Sequence, residues 1–396
     1  MNTTVRLLLV ILALAVSAPA PAHQHEMAAM AHEPALGASA AFDADGRLWL
    51  VDVHDGHVQL RRSDDLGKTF TAPVDVNAVA EAIYASGENR PKIAFGPHGQ
   101  IDVTWSHPLK APWTGYVRFA RSTDGGKTFS APVTVHHDRT RITHRFDALA
   151  VAGNGDIVVA WIDKRDMEKA KADGHAYQGA AVYYSWSRDG GRTFARERKL
   201  MDHSCECCRI ALATTPHGEV AAFFRGVYGD NLRDHAYAVL HTDGRASHAE
   251  RATFSDWQIA ACPHHGPGLA IDAAGVRHAV WYEAAHGPAI WYGQLQPGQR
   301  PAHRLRIGGA GASHADVAVQ GDTVWVVWNQ VDAKGYRLML RTSHDGGAHF
   351  DAARRLAQSA EAVYSPQLLL HDGHARVAWN TANGFRLLPV DAPARP

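Results

Sequence analysis

The chain predicts an all-β fold built from seven repeated strand modules, and three observations carry that prediction. A glycine-centred turn followed by an alternating strand recurs at Gly46, Gly99, Gly155, Gly218, Gly275, Gly321 and Gly373, spaced 46 to 63 residues apart. An aromatic follows each turn: Trp105, Trp161, Phe224, Trp281 and Trp379 at the sixth place, Trp328 at the seventh and Trp49 at the third. The strands alternate as sheets packed on both faces require, as in Ile101-Asp102-Val103-Thr104-Trp105 and Thr323-Val324-Trp325-Val326-Val327-Trp328. Self-similarity at this period marks a repeat architecture in which each unit buries its faces against its neighbours.

Composition sets the class. The chain has 396 residues, zero formal net charge, 46% hydrophobic and 20% charged residues. That balance suits a large buried core and argues against a nucleic-acid partner. Residues 1–22 read as a cleavable secretory signal: Arg6 closes a short basic region, Leu7–Val16 is apolar, and Ala20-Pro21-Ala22 offers a cleavage site. The apolar run is too short for an ordinary transmembrane helix, and no second run follows. The expectation is a periplasmic or secreted monomer, in a compartment where disulfides are permitted. Cleavage after Ala22 would leave a flexible segment, residues 23–35, beginning His23-Gln24-His25 and carrying Met27, Met30 and His32. A free amine with His at the third place suits Cu(II) or Ni(II), and Met suits Cu(I); an uninvolved tail is the plainer alternative. Residues 36–394 are then one domain. Within it, Lys164–Asp173 is the best helical candidate, in an excursion between strands.

A second repeat is sharper. Ser63-Asp64-Asp65-Leu66-Gly67-Lys68-Thr69-Phe70 recurs from Ser122 to Phe129, from Ser187 to Phe194 and from Ser343 to Phe350, giving S-x-D-x-G-x-x-F four times. The Asp carboxylate can accept N–H groups across a hairpin turn, Gly permits the turn, and Phe tucks between sheets. These residues resemble the Asp-box (BNR) repeats of the sialidase-like β-propellers, and the resemblance covers nearly all of the chain after residue 35. It implies a propeller of four-stranded antiparallel blades. Seven modules imply seven blades, with six plus an accessory hairpin as the alternative. The short last module implies closure with a strand from the N-terminal side.

In such a fold the segments preceding each innermost strand gather at one mouth of the central channel. Here they are Ser39; Asn89-Arg90; His144-Arg145; Cys205-Glu206-Cys207-Cys208-Arg209; Cys262-Pro263-His264-His265; Ser313-His314; and Tyr364-Ser365. All four cysteines of the chain are among them. Three readings compete. The cysteines form disulfides, giving a stapled interaction scaffold, with Cys205 or Cys208 joined to Cys262. Alternatively Cys205, Cys207, Cys208 and Cys262, with His264, His265, and His314 or His144, bind a soft metal. Copper is then favoured over zinc, in a binding or redox role with Glu206 and Arg209 in support.

The third reading follows from the resemblance, which implies a glycan-directed protein, a hydrolase or a binder. Sialidases hold a substrate carboxylate with three Arg and use a Tyr nucleophile assisted by Glu, with an Asp acid/base. Arg90, Arg145 and Arg209 would be the arginines, Tyr364 the nucleophile and Glu283 its partner; no acid/base Asp is identifiable. Elsewhere, Asp163-Lys164-Arg165-Asp166 reads as a solvated charge cluster, His136-His137 as exposed rim, and the loop with His107 and Trp113 as a surface loop able to overhang the funnel.

Overall fold

The structure, a computed structural model, describes residues 35–391. The expected signal segment, nearly all of the His- and Met-bearing segment, and residues 392–394 lie outside the described residues. Seven antiparallel sheets follow one another along the chain. The first comprises β1 (Ser39–Phe42), β2 (Leu48–His54), β3 (His57–Ser63) and β4 (Val74–Asp75); the second, β5 (Lys92–Phe95), β6 (Ile101–Pro108), β7 (Gly115–Ser122) and β8 (Val133–Thr134). The third holds β9 (His144–Val151), β10 (Ile157–Asp163), β11 (Ala180–Ser187) and β12 (Arg198–Ser204), with helix α1 (Arg165–Ala172) inserted after β10. The fourth holds β13 (Ala211–Thr214), β14 (Val220–Arg225), β15 (His235–Leu240) and β16 (Glu250–Arg251). The fifth holds β17 (Gly268–Ile271), β18 (Arg277–Glu283), β19 (Ala289–Gln294) and β20 (Ala302–Gly308). The sixth is β21 (Ala312–Gln320), β22 (Thr323–Asp332), β23 (Gly335–Ser343) and β24 (Arg354–Ser359); the seventh is β25 (Gln367–His371), β26 (His374–Thr381) and β27 (Gly384–Pro389). First strands of successive sheets touch around a closed ring, and β25 meets β1. The fold is a seven-bladed propeller.

The recurrent glycines lie in the turns between first and second strands, so each recurrent aromatic falls on a second strand. That strand is covered on both faces by adjacent blades, and burial of apolar surface drives the packing. Trp105, Trp161, Trp281, Trp328 and Trp379 are all fully buried, and β10 is buried at every position. The inter-blade cores repeat this pattern, as where Trp49, Val51 and Leu60 of the first blade meet Ile101, Val103 and Trp105 of the second.

The S-x-D-x-G-x-x-F turns join third and fourth strands and share one hydrogen-bond scheme. In the second blade the Ser122 hydroxyl donates to Asp124 at 2.8 Å and accepts the Gly126 N–H at 2.9 Å. Asp124 also accepts the Thr128 N–H at 3.0 Å and hydroxyl at 2.6 Å. In the sixth blade the His349 ring takes the place of the threonine hydroxyl, 2.7 Å from Asp345. The second glycine presses on the preceding blade: at Gly347 (φ +90°) a Cβ would lie 1.8 Å from the Tyr292 hydroxyl. Only glycine permits that approach.

Closure differs from the expectation of a borrowed strand. β1 pairs with β2 in its own blade, and the seventh blade has three strands among the described residues. Side chains seal the ring instead. Gln367 accepts the Ala40 N–H at 3.1 Å, Asn380 donates to the Leu36 carbonyl at 2.8 Å, and Phe42 stacks on His371 with centroids 4.4 Å apart.

Candidate functional site

The segments before the first strands converge, and their own hydrogen bonds show it. The Tyr364 hydroxyl donates to the Asn89 carbonyl at 2.7 Å, and Arg209 reaches the Ala315 carbonyl at 2.7 Å. Two register shifts aim side chains here. The β9–β10 pairing slips beside Phe146 (φ +56°), and the β21–β22 pairing slips beside His314 (φ +51°). Bulges re-aim side chains, and a left-handed non-glycine residue costs about 1–3 kcal/mol that the surroundings must offset.

The four cysteines form one cluster in the core between the third and fourth blades. Cys205 Sγ lies 3.3 Å from Cys208 Sγ, 3.9 Å from Cys207 Sγ and 4.0 Å from Cys262 Sγ. All four thiols are free, at separations well beyond the roughly 2.05 Å of a disulfide. Cys205, Cys207 and Cys208 are buried, and Cys262 is partly exposed. The sulfurs of Cys205, Cys207 and Cys262 all lie within 4.8 Å of one another. Thiol donors from Cys207, Cys208 and Cys262, aided by Arg225 and opposed by burial, hold Cys205 well below the usual thiol pKa. Burial and the Cys205 charge push Cys207 and Cys208 up.

Glu88 organises the loops around this cluster. Its side chain is fully buried, and it accepts the Arg209 N–H at 3.1 Å, the Arg209 guanidinium at 3.1 Å, the Gly266 N–H at 2.9 Å and His314 Nδ1 at 2.8 Å. Arg209 immediately follows Cys208, and Gly266 lies four residues after Cys262. One carboxylate therefore fixes both cysteine-bearing loops relative to each other. Burial alone would raise its pKa. Arg209, His314 and the backbone donors outweigh burial and hold the carboxyl well below the usual range.

Two of the expected arginines remain available. Arg90 lies 5.9 Å from the Tyr364 ring, and its Nη1 is buried without a partner. Arg145 sits over Tyr84 at 3.9 Å and beside Trp113 at 5.6 Å, its Nε likewise without a partner. The Trp113 loop does reach the mouth. Arg209, by contrast, is committed to Glu88 and Ala315.

Nearby, Lys92 donates to the Arg90 carbonyl at 2.6 Å, and burial pushes its pKa down to about 8. A cation whose folded pKa lies below its unfolded value costs stability below that folded value, and the cost is relieved as pH rises toward the unfolded one. Between about pH 7.5 and 9.5 the wild type should therefore gain stability relative to Lys92→Met in denaturant titrations. Equal pH profiles for the two proteins would refute this.

Several expected site residues fall elsewhere. His144 is buried inside the third blade. Its Nδ1 donates to Asp163 at 2.9 Å, its Nε2 lies 3.3 Å from the Thr140 carbonyl, and its ring stacks on His136 at 4.0 Å. Both nitrogens are thus occupied and no ligand atom is spare. His136, expected at an exposed rim, is buried beneath that stack; Asp163, expected in solvent, is buried and also accepts from Trp161 and Arg165. Glu283 accepts from Arg304 at 2.5 Å and Trp281 at 3.2 Å, so its carboxylate is spent within the fifth blade rather than on Tyr364. Glu206 pairs with Lys164, joining the cysteine loop to the start of α1.

His264 (φ +53°) and His265 each bury an unpartnered Nδ1, and His265 packs against Tyr282 and His314 with centroids 4.2 and 4.8 Å away. Burial keeps His265 neutral. Among the described residues, the converging ligand group is sulfur only.

Glu88 and Arg225 were not anticipated. Glu88 stands one residue before the segment singled out. Arg225 is a buried cation ending the apolar run Val220–Phe224, and that lone charge was its signal. It donates to the carbonyls of His265 (3.0 Å) and Tyr282 (2.9 Å), while its own carbonyl accepts the Cys205 N–H at 2.9 Å.

No family model matches this chain, and no curated protein matches it. Solved structures do. The polysaccharide lyase Uly1 is 10% identical, with 91% of each chain covered and a TM-score of 0.56. A PL25 ulvan lyase is 13% identical over 88% of this chain and 90% of that one, at 0.55. The Hadza microbial sialidase Hz136 is 12% identical over 85% and 74%, at 0.51. These likenesses establish the propeller fold.

Proposed function

We propose that this is an exported propeller that binds one soft metal ion, Cu(I), through Cys205, Cys207 and Cys262 at the mouth of its channel. The observation carrying the reading is the spacing of the sulfurs. Metal–thiolate bonds of about 2.3 Å place ligand sulfurs roughly 4 Å apart, and Cys205 lies 3.9 and 4.0 Å from its two partners. Thiolate selects Cu(I) or zinc over harder ions; the His- and Met-bearing segment 23–35 favours copper as the cargo. Three thiolates around Cu(I) leave net negative charge in a buried place, which neighbouring cations must offset. Arg225 lies beside Cys205, and Arg145 interacts with Cys207. Glu88 holds the two loops in register, acting on the metal only through the sulfurs.

Anaerobic titration of reduced protein with Cu(I) against a chromogenic chelator tests this. One tightly held equivalent is expected. No bound Cu(I), or tighter retention of zinc, overturns the assignment.

A second reading is supported by the unpartnered nitrogens of Arg90, near Tyr364, and of Arg145, beside Tyr84 and Trp113, and by the likeness of fold to polysaccharide lyases and a sialidase. A carboxylate-bearing glycan would suit those cations. The four S-x-D-x-G-x-x-F turns fit the Asp-box propellers, but they build scaffold in proteins of many functions. The commitments of Arg209 and Glu283 weigh against a sialidase-type reaction, so metal binding is the primary reading.

A further inference from the structure

We propose that Cys205 and Cys208 form a reversible oxidation site, a dithiol that peroxide-class oxidants close into a disulfide, and that closing it takes the central sulfur out of the metal cluster. The second half rests on the metal reading above.

The geometry favours this pair over the others. At 3.3 Å their sulfurs are closer than Cys205 is to Cys207 or Cys262. They stand at C-x-x-C spacing in one loop. A bond of about 2.05 Å requires a further approach of roughly 1.2 Å, within reach of side-chain rotation. Joining Cys205 to Cys262 would instead draw together two loops that Glu88 already anchors through Arg209 and Gly266. The cluster is not sealed from small reagents, because Cys262 is partly exposed.

The chemistry balances. The Cys205 sulfur attacks one oxygen of hydrogen peroxide, the O–O bond breaks, and a sulfenic acid forms as water leaves. The Cys208 sulfur then attacks the Cys205 sulfur, an S–S bond forms, and the hydroxyl departs as a second water. Two thiols and one peroxide give one disulfide and two waters. A dithiol reductant returns the two electrons and two protons by exchange. Cys205 belongs to the three-sulfur metal group whereas Cys208 does not. The oxidised loop would therefore offer a metal only Cys207 and Cys262.

The test uses the full, metal-free protein treated with hydrogen peroxide, then alkylated and mapped without reduction. Fragmentation of the peptide holding Cys205, Cys207 and Cys208 should place the linkage between Cys205 and Cys208, with Cys207 and Cys262 alkylated. Cu(I) affinity should fall by more than the ~10–100-fold that loss of an outer contact costs, and dithiothreitol should restore it. Cys208→Ser should bind Cu(I) when reduced but lose the dithiothreitol-reversible response. A linkage through Cys262, or undiminished affinity in the oxidised protein, overturns the proposal. If reduced protein binds no Cu(I), the metal reading fails by itself, and the mapped linkage alone then decides the oxidation site.

Discussion

Replacing Cys205 with serine should abolish tight Cu(I) binding, whereas Cys208→Ser should leave it nearly intact. Cys205 makes each of the three sulfur–sulfur approaches described for the cluster, at 3.3, 3.9 and 4.0 Å. It is the sulfur that holds its negative charge most readily there, and ligands must be deprotonated to bind. Serine puts a hard, weakly acidic oxygen in its place, so affinity should fall roughly a thousandfold, about 4 kcal/mol. Competition titration against a chelator reads the difference directly. A Cys205→Ser protein that binds within about tenfold of wild type would remove Cys205 from the site. The wild-type circular dichroism spectrum, retained in both variants, separates ligand loss from unfolding.

Glu88→Ala should be the most damaging single change to the fold at the mouth. It deletes a fully buried carboxylate and leaves the Arg209 guanidinium, His314 and two backbone N–H groups without their acceptor. Breaking a buried ion pair from one side costs about 3–5 kcal/mol. Glu88→Gln should cost less, since the amide still accepts, though it cannot offset the Arg209 charge. The pH dependence has a definite sign. A carboxylate depressed in the folded state contributes stability that is complete above its unfolded value, about 4.3, and lost as pH falls below it. Wild type should therefore lose stability on acidification more steeply than Glu88→Gln. Denaturant midpoints for the three proteins at neutral and acid pH check both statements; a Glu88→Ala midpoint equal to wild type would dispose of the hub.

The architecture was legible because it rests on residue types that mean one thing each. Turn glycines at Gly46 through Gly373 mark first-to-second strand connections, and the aromatics after them are the buried centres of blades. The gathering of the cysteine segments was legible for the same reason, since counting blades puts Cys205 and Cys262 in the segments just ahead of adjacent first strands. The choice of ligands was not. Whether an imidazole at the mouth faces the sulfurs depends on bulges and left-handed residues such as Phe146 and His314, and residue identity alone does not announce them. His144 illustrates the point: it opens a first strand as expected, yet Asp163 on the neighbouring strand claims it. Glu88 was hidden because its partners lie 121, 178 and 226 residues away. No local pattern marks a carboxylate whose donors come from three other blades.

X-ray absorption at the copper edge of Cu(I)-loaded protein tests the central claim most directly. Three sulfur scatterers at about 2.3 Å are expected, reduced in number or replaced by lighter atoms in Cys205→Ser. A first shell made of nitrogen or oxygen alone in the wild-type protein would contradict a thiolate centre at the channel mouth.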